Sequence, residues 1–159
     1  MSDAAELHLR LAEAGDEDFI LGLSERFVDF ELPPWRKRGE CAAGIRRDLT
    51  HHLREEPPGS YMFVAEDAEG ERVGLLHMQK VTDVLTGRSN AHISDLAAAH
   101  GRDGQGIGRA LLAHAESWAR EHGCALVTLH VFPGNARGRH LYEAAGYGSD
   151  TLRLAKPVK

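Results

Sequence analysis

The sequence predicts a single mixed α/β domain, and three observations support this fold class. The chain has 159 residues, a length that fits one domain with a substantial core. Its 42% hydrophobic and 27% charged residues are ordinary for a globular protein. Apolar residues alternate in some segments and follow helical spacing in others, and glycines and prolines separate these segments. The predicted element order is β-α-α-β-β-β-α-β-α-β.

The amino-terminal third predicts one strand followed by two helices. Leu7, Leu9 and Leu11 alternate with other residues, as in a half-buried strand. Asp16 is a good N-cap for a helix that we expect to run through about residue 29. After a proline-containing loop, a second helix is predicted over about residues 41–55, because its leucines and isoleucine share one face.

The rest of the chain predicts five strands and two helices. The first two strands form a hairpin with a polar, glycine-containing turn, and a glycine follows each helix as a C-cap. The strands are expected over residues 61–65, 72–81, 91–98, 125–132 and 151–155, and the helices over residues 106–122 and 135–145.

Composition excludes several functional classes. The net charge of −5 argues against a generic nucleic-acid binder. The amino terminus lacks a signal-peptide pattern and no apolar run approaches the roughly 20 residues of a membrane span, so we expect a cytoplasmic protein that does not bind membranes. Cys41 and Cys124 are too few for a disulfide framework. His51, His52 and His77 lack zinc-site spacing, so no metal is expected.

The stretch from Asp103 to Leu112 runs from a glycine-dense turn into an amphipathic helix. Its glycines let the backbone approach a ligand, and the free N–H groups of a helix start attract anions. A P-loop would need a Lys-Ser/Thr pair after the glycines, and a dinucleotide-binding turn would need glycine where Arg109 stands. Both patterns fail, which leaves a different phosphate site or a flexible helix start.

A second motif lies downstream, from Leu129 to Tyr147, with the sequence LHVFPGNARGRHLYEAAGY. Together with the glycine loop it resembles the acyl-CoA N-acyltransferases of the GNAT superfamily, over roughly residues 5–156. The resemblance implies one N-acetyltransferase domain over residues 1–159, with a motif-bearing core over about 61–156 and acceptor-site helices over about 16–58. It also implies a mixed central sheet of about six or seven strands with splayed central strands, flanked by about four helices.

The resemblance further implies acetyl-CoA, or coenzyme A, as co-substrate. Asn135 matches the family's asparagine, which fixes a helix start and approaches the coenzyme. The pantetheine arm would pair with Leu96, Ala97 and Ala98, and the N–H of Ala98 is a candidate oxyanion donor. Asp103 stands where the family usually has Arg or Gln, so we expect its carboxylate to point away or cap the helix. The predicted diphosphate contacts are the backbone N–H groups of Gly104, Gln105, Gly106, Ile107, Gly108, Arg109 and Ala110.

Three residues are the candidate catalytic groups. Tyr142 matches the tyrosine that protonates the departing thiolate in many family members. His92 and Ser94 match the family's base positions on the strand over residues 91–98, with Asp95 as an alternative base and His130 on the neighbouring strand. Simple alternation places His92 and Asp95 on opposite faces of the sheet, unless a bulge intervenes.

The predicted activity is transfer of an acetyl group from acetyl-CoA to an amine of a small molecule or peptide, by direct attack in a ternary complex. Two alternatives stay open: a non-catalytic acyl-CoA-binding or regulatory module, and an acyltransferase with another acyl donor or a non-amine acceptor. The sequence does not identify the acceptor or the acyl group beyond acetyl as a default. It also leaves open a homodimer formed through an exposed strand edge.

Overall fold

Five strands form one mixed sheet in the order β1-β2-β3-β4-β5 in the computed structural model, which describes residues 6–158. The pairs β1–β2, β2–β3 and β3–β4 are antiparallel, and the pair β4–β5 is parallel. This topology confirms the predicted mixed α/β class. The strands are β1 (His8–Leu11), β2 (Ser60–Glu66), β3 (Arg72–Thr82), β4 (Ser89–Ala98) and β5 (Val127–Leu129).

Four α-helices accompany the sheet within the described residues: α1 (Glu17–Leu21), α2 (Arg38–Glu55), α3 (Ile107–Glu121) and α4 (Ala136–Ala144). The predicted continuous helix from residue 16 to 29 is wrong. The chain leaves α1 at Gly22, a poor helix former, and continues as a 3-10 helix over Ser24–Val28. Within residues 6–158, no helix has both the length and the apolar character that a bilayer crossing requires.

The two faces of the sheet pack against different helices. Along β2, Phe63 joins the cluster formed with α3, whereas Met62 and Val64 join the cluster formed with α1 and α2. This alternation follows from the two-residue period of a strand. Leu111 of α3 and Leu49 of α2 are fully buried at the centres of the two clusters. The sheet is therefore covered by helices on both sides.

A buried carboxylate ties the amino-terminal segment to the sheet. Asp16 is only 1% exposed and accepts hydrogen bonds from Arg10 of β1 at 2.7 and 2.9 Å and from Arg72 of β3 at 2.6 Å. The backbone N–H of Glu13 donates to the same carboxylate. The Arg10 guanidinium is the main reason that the pKa of Asp16 lies far below its usual value.

β4 and β5 are paired over only a short distance, which agrees with the predicted splaying of the central strands. The last pair joins Ile93 to Leu129, and beyond it the β5 side of β4 has no strand partner among the described residues. On the other side, the Ala99 N–H donates to the Val73 carbonyl at 2.8 Å. Because N–H groups alternate in direction along an antiparallel strand, the Ala98 N–H faces away from β3, toward the opening.

The carboxyl-terminal strand is a second wrong prediction. Residues 148–158 form no regular secondary structure, and Leu152 and Leu154 are 83% and 89% exposed. The predicted strand over residues 125–132 is reduced to Val127–Leu129, the three residues that pair with Ala91, His92 and Ile93 of β4. The described sheet consequently has five strands, fewer than the predicted six or seven.

Candidate active site

A β-bulge in β4 determines which polar side chains meet at the opening between β4 and β5. On β3, His77 lies opposite Asp95 and Gln79 lies opposite His92, and between these pairs β3 has one residue and β4 has two. Paired residues share a sheet face, so the bulge at Ser94 puts His92 and Asp95 on the same face. Simple alternation is therefore wrong here, and the bulge alternative is correct. Gln79 also donates to the Ser94 hydroxyl at 2.9 Å.

His92 lies over the first residues of β5. Its Nδ1 is 2.8 Å from the Thr128 hydroxyl, and its ring stacks edge-on to His130 with centroids 5.1 Å apart. Burial lowers the pKa of His92, and the His130 ring lowers it further, whereas Asp95 partly opposes this effect. A neutral imidazole in this position can accept a proton.

Asp95 is held by a residue that sequence reasoning did not place in the site. His77 is fully buried, and its Nδ1 lies 2.9 Å from the Asp95 Oδ2. From the sequence, His77 was a candidate only for a metal ligand, and its spacing did not fit a zinc site. The available signal was its position two residues after Leu75 on the same inward face of β3, where a polar side chain needs a partner.

The glycine loop is an open array of backbone donors. No backbone N–H from Asp103 to Arg109 donates to another group of the described chain, and the first helical bond is from Ala110 to Gly106. Gly104 and Gly106 adopt φ values of +79° and +78°, a conformation that favours glycine. Free N–H groups at the positive end of a helix form a site suited to phosphate oxygens. Of the other predicted contacts, Gln105 and Arg109 are exposed, Ile107 is buried, and Gly108 leaves room for Leu141.

Asp103 does not cap α3, whose N-cap position is Gly106, so this one of the two expected roles is wrong. Its carboxylate pairs with Arg26 at 2.8 Å and with Arg137 at 2.6 Å, and these contacts, Arg26 first, lower its pKa. Arg26 also donates from Nε to the Ala98 carbonyl at 3.1 Å. Two cations thus lie beside the free N–H groups and the open edge of β4. Nothing in the sequence pattern indicated Arg26, whereas Arg137 lies within the second motif.

The two remaining predicted site residues are Asn135, the N-cap of α4, and Tyr142 within α4. The Asn135 side chain accepts a hydrogen bond from the Gly138 N–H at 2.9 Å, so its predicted N-cap is confirmed. Tyr142 packs partly buried against the α3-side core, and this burial raises its pKa. Its hydroxyl forms no hydrogen bond to residues 6–158, and its ring centroid is 6.1 Å from that of Tyr147. A neutral phenol with an uncommitted hydroxyl can donate a proton or a hydrogen bond.

The loop before α2 reaches the loop between β5 and α4. The Phe30 ring is 5.9 Å from the Phe132 ring, and a Cβ at Gly134 would collide with the Glu31 carbonyl oxygen. Trp35 in the same loop is 47% exposed. This contact connects the amino-terminal helical segment to the strand and helix that border the opening.

Acidic and histidine side chains also cluster on the α2 side. Asp48, His77 and Asp95 place ligand-type atoms within 4.8 Å of one another. Both ring nitrogens of His77 are already hydrogen-bonded, to Asp95 at 2.9 Å and to the Ser60 hydroxyl at 2.9 Å. A cation at this point would have to replace one of these bonds, so the hydrogen-bond network accounts for the cluster by itself.

Comparison with known proteins agrees with this arrangement. The family model described as the acetyltransferase (GNAT) family matches residues 24–147. A mycothiol acetyltransferase from Propionibacterium freudenreichii is 37% identical over 87% of the chain and 43% of its own length. A streptothricin acetyltransferase from Streptomyces lavendulae is 34% identical over 58% of the chain and 47% of its own length. The chain thus spans a little under half the length of these two curated relatives.

A solved structure shares the whole fold. A proposed acetyl transferase from Pyrococcus furiosus superposes with a TM-score of 0.76 at 27% identity, covering 96% of this chain and all of its own. This structural match agrees with the family match, which covers the elements from β2 to α4 and the glycine loop. The chain belongs to the GNAT acetyltransferase family.

Proposed function

We propose that this chain transfers an acetyl group from acetyl-CoA to an amine of a small molecule or peptide. The observation that carries the proposal is the row of free backbone N–H groups from Asp103 to Arg109, directly after the open edge of β4. A diphosphate bound by this row would direct the attached arm along the strand edge, toward His92 and Asp95. Two relatives are named for mycothiol and streptothricin, which favours a small-molecule acceptor.

The coenzyme would be held by charge at one end and by strand-like pairing at the other. Arg26 and Arg137 lie next to the free N–H groups and can neutralise phosphate charge in addition to the backbone donors. On the unpaired side of β4, the backbone of Leu96 and Ala98 would face the amides of the pantetheine arm, whereas the backbone of Ala97 between them faces β3. Asn135 fixes the start of α4 on the far side of the opening.

Acetyl-CoA supplies the activated acyl group, and the residues of the chain supply positioning and proton transfer. An ammonium acceptor must lose a proton before it attacks, and His92 or Asp95, directly or through water, is the proposed base. The Ala98 N–H would donate to the thioester carbonyl oxygen as negative charge develops there. Tyr142 would donate to the departing sulfur. Holding both reactants together can contribute roughly 7–11 kcal/mol to lowering the barrier.

The acceptor would enter from the face that α1 and α2 cover. His92 and Asp95 point to this face, and the loop before α2 contacts the segment after β5 through Phe30 and Phe132. We propose that the described residues form one N-acetyltransferase domain whose helical segment before β2 shapes the acceptor pocket. Because the matched segment covers less than half the length of each of the two curated relatives, the activity of a longer protein is also part of this proposal.

The first test is a thermal-shift titration with coenzyme A, because a ligand that binds only the native state raises its apparent stability. The matched variants are Gly106→Ala and Gly70→Ala, which strain the backbone equally, since their φ values are +78° and +80° and neither site has an atom within 4 Å of an added Cβ. Coenzyme should stabilise wild type and the Gly70 variant, and stabilise the Gly106 variant less. No shift in wild type at millimolar coenzyme would refute the site.

The second test is a thiol-release assay with acetyl-CoA against small amines, aminoglycoside-type amines and peptides. Release that depends on the acceptor supports the transferase. Coenzyme binding with no turnover on any acceptor would support the non-catalytic module instead. Turnover with a longer acyl-CoA or a non-amine acceptor, but not with acetyl-CoA and an amine, would support the other alternative.

A further inference from the structure

The Asp95 carboxylate lies at the inner end of a continuous chain of hydrogen-bonding side chains that extends to the surface of α2. From Asp95 the chain passes through His77 at 2.9 Å and Ser60 at 2.9 Å, and reaches His52 at 2.7 Å. His52 in turn faces Asp48 at 3.5 Å. The side chain of Asp95 is 10% exposed and that of Asp48 is 56% exposed, so the chain connects a sheltered end to a solvated one.

When His77 is neutral and Asp95 is ionised, only one arrangement of hydrogens satisfies every short contact between these side chains. A carboxylate only accepts, so the His77 Nδ1 must carry its proton and donate to Asp95. If His77 is neutral, its Nε2 accepts, and the single hydroxyl proton of Ser60 must point at it. Ser60 then accepts from the His52 Nδ1, which is the nitrogen at 2.7 Å. The reverse arrangement would set a lone pair of His77 against the carboxylate.

The outer end of the chain favours the same arrangement. Burial and the neighbouring His77 lower the pKa of His52, which favours a neutral ring with one N–H. That proton can go to Ser60 across 2.7 Å or toward Asp48 across 3.5 Å, and only the first distance is a good hydrogen bond. The rings of His52 and His77 also pack edge-on, with their centroids 4.5 Å apart, and this contact restricts the rotation of both rings.

We propose that His77 is a positioning residue for the acyl transfer: it holds the Asp95 carboxylate at the opening in its ionised form, and Ser60 and His52 keep His77 in the tautomer that does so. This inference rests on the proposed function, in which Asp95 or His92 takes the proton of the acceptor. The oxygen of Asp95 that His77 does not bind remains for the acceptor or a bridging water. The inference assigns a task to Ser60 and His52, which lie outside the motifs that define the coenzyme site.

The decisive variants differ in the donor they leave for Asp95. His77→Leu removes the donor, whereas His77→Asn keeps an amide N–H near the position of Nδ1. We expect His77→Leu to lower kcat about 10- to 100-fold with little change in coenzyme affinity, and His77→Asn to recover most of the loss. The acidic limb of the pH profile of kcat/KM should move to higher pH in His77→Leu, because the ionised form of Asp95 loses a hydrogen bond.

Other titratable groups also lie near Asp95 and can contribute to the pH dependence of kcat/KM. Their contributions are separated by recording this pH dependence in wild type, His77→Leu, Ser60→Ala and a control variant, Thr50→Ala. The Thr50 hydroxyl donates to the Arg46 carbonyl within α2 and forms no hydrogen bond with the side chains that connect Asp95 to His52. The Thr50→Ala variant should therefore match wild type. The titratable groups around His52, His92 and Asp95 are His77 of β3, His130 directly after β5, and Asp48 and His51 of α2.

A readout that needs no activity separates this inference from the proposed function. Nitrogen-15 NMR of the histidine rings should show His77 protonated at Nδ1 in wild type, and a shift toward the other tautomer in Ser60→Ala. This measurement stands even if no acceptor supports turnover. It also tests the inference if His77→Leu fails to fold. A His77 ring protonated only at Nε2 in wild type, or an unchanged pH profile in a folded His77→Leu or Ser60→Ala enzyme, would overturn the inference.

Discussion

Replacement of Asp103 by asparagine should tighten coenzyme binding, although Asp103 lies inside the proposed diphosphate site. In the free chain the carboxylate is the counter-ion of Arg26 and Arg137, at 2.8 and 2.6 Å. A diphosphate brings its own negative charge to the same cations. The carboxylate therefore competes with the coenzyme for both arginines and repels it, and Asp103→Asn removes both effects.

The size of the effect follows from the exposure of the groups. Arg137 is 74% exposed, Arg26 is 15% exposed and the Asp103 carboxylate that they share is 36% exposed. Because water reaches the shared carboxylate, each pair is worth about 0.2–1 kcal/mol. Two such pairs amount to about 0.4–2 kcal/mol, which corresponds to roughly a two- to thirtyfold lower Kd for coenzyme A. Because the Arg26 contact lowers the pKa of Asp103, the carboxylate is ionised at neutral pH and the difference should be fully present there.

Isothermal titration calorimetry with coenzyme A at low and high salt measures this difference. The gain should shrink at high salt, because screening weakens interactions between exposed charges. Glu71→Gln is the matched control, since it removes an exposed carboxylate that pairs with Arg102 rather than with the two arginines of the site. If Asp103→Asn is folded but binds coenzyme A more weakly than wild type does, Asp103 orients the arginines instead of competing for them, and the reasoning is refuted.

Three further predictions concern α4 and the buried carboxylate. Tyr142→Phe should lower kcat about 100-fold and leave the Kd for coenzyme A unchanged, and an unchanged kcat in steady-state assays would contradict its role as a proton donor. Asn135→Ala should destabilise the chain by about 1 kcal/mol in urea unfolding through loss of the cap to Gly138, and a coenzyme affinity equal to that of wild type would limit Asn135 to this structural role. Asp16→Asn should cost about 1.5–3 kcal/mol at neutral pH, since it removes the charged hydrogen-bond acceptor of Arg10 and Arg72, which are themselves 23% and 43% exposed. Because the folded-state pKa of Asp16 is lowered, its stabilisation is present above the unfolded value of about 4 and is lost in acid, so urea titrations should show the gap to wild type closing below that pH.

The order and type of most elements could be predicted because local patterns determine them. The alternation along β2 and β3 and the apolar face of α3 are present in the sequence, and the observed ends of these elements differ from the predicted ones by at most one residue. The prediction failed where tertiary contacts decide. The segment before Gly22 has helical spacing, yet it breaks there, and the alternating leucines after residue 150 have no described strand to pair with.

The sequence by itself determined the family, the mixed α/β class and the glycine loop, because these depend on residue types at fixed spacing along the chain. Only the tertiary structure showed that the bulge at Ser94 turns His92 and Asp95 to one face, because register depends on the partner strand. The contacts of Arg26 with Asp103 and of His77 with Asp95 also emerged only from the tertiary structure, because the partners are 77 and 18 residues apart along the chain. The coenzyme loop is a local feature and can be read from sequence, whereas the environment of the proposed base is assembled from distant strands and a helix.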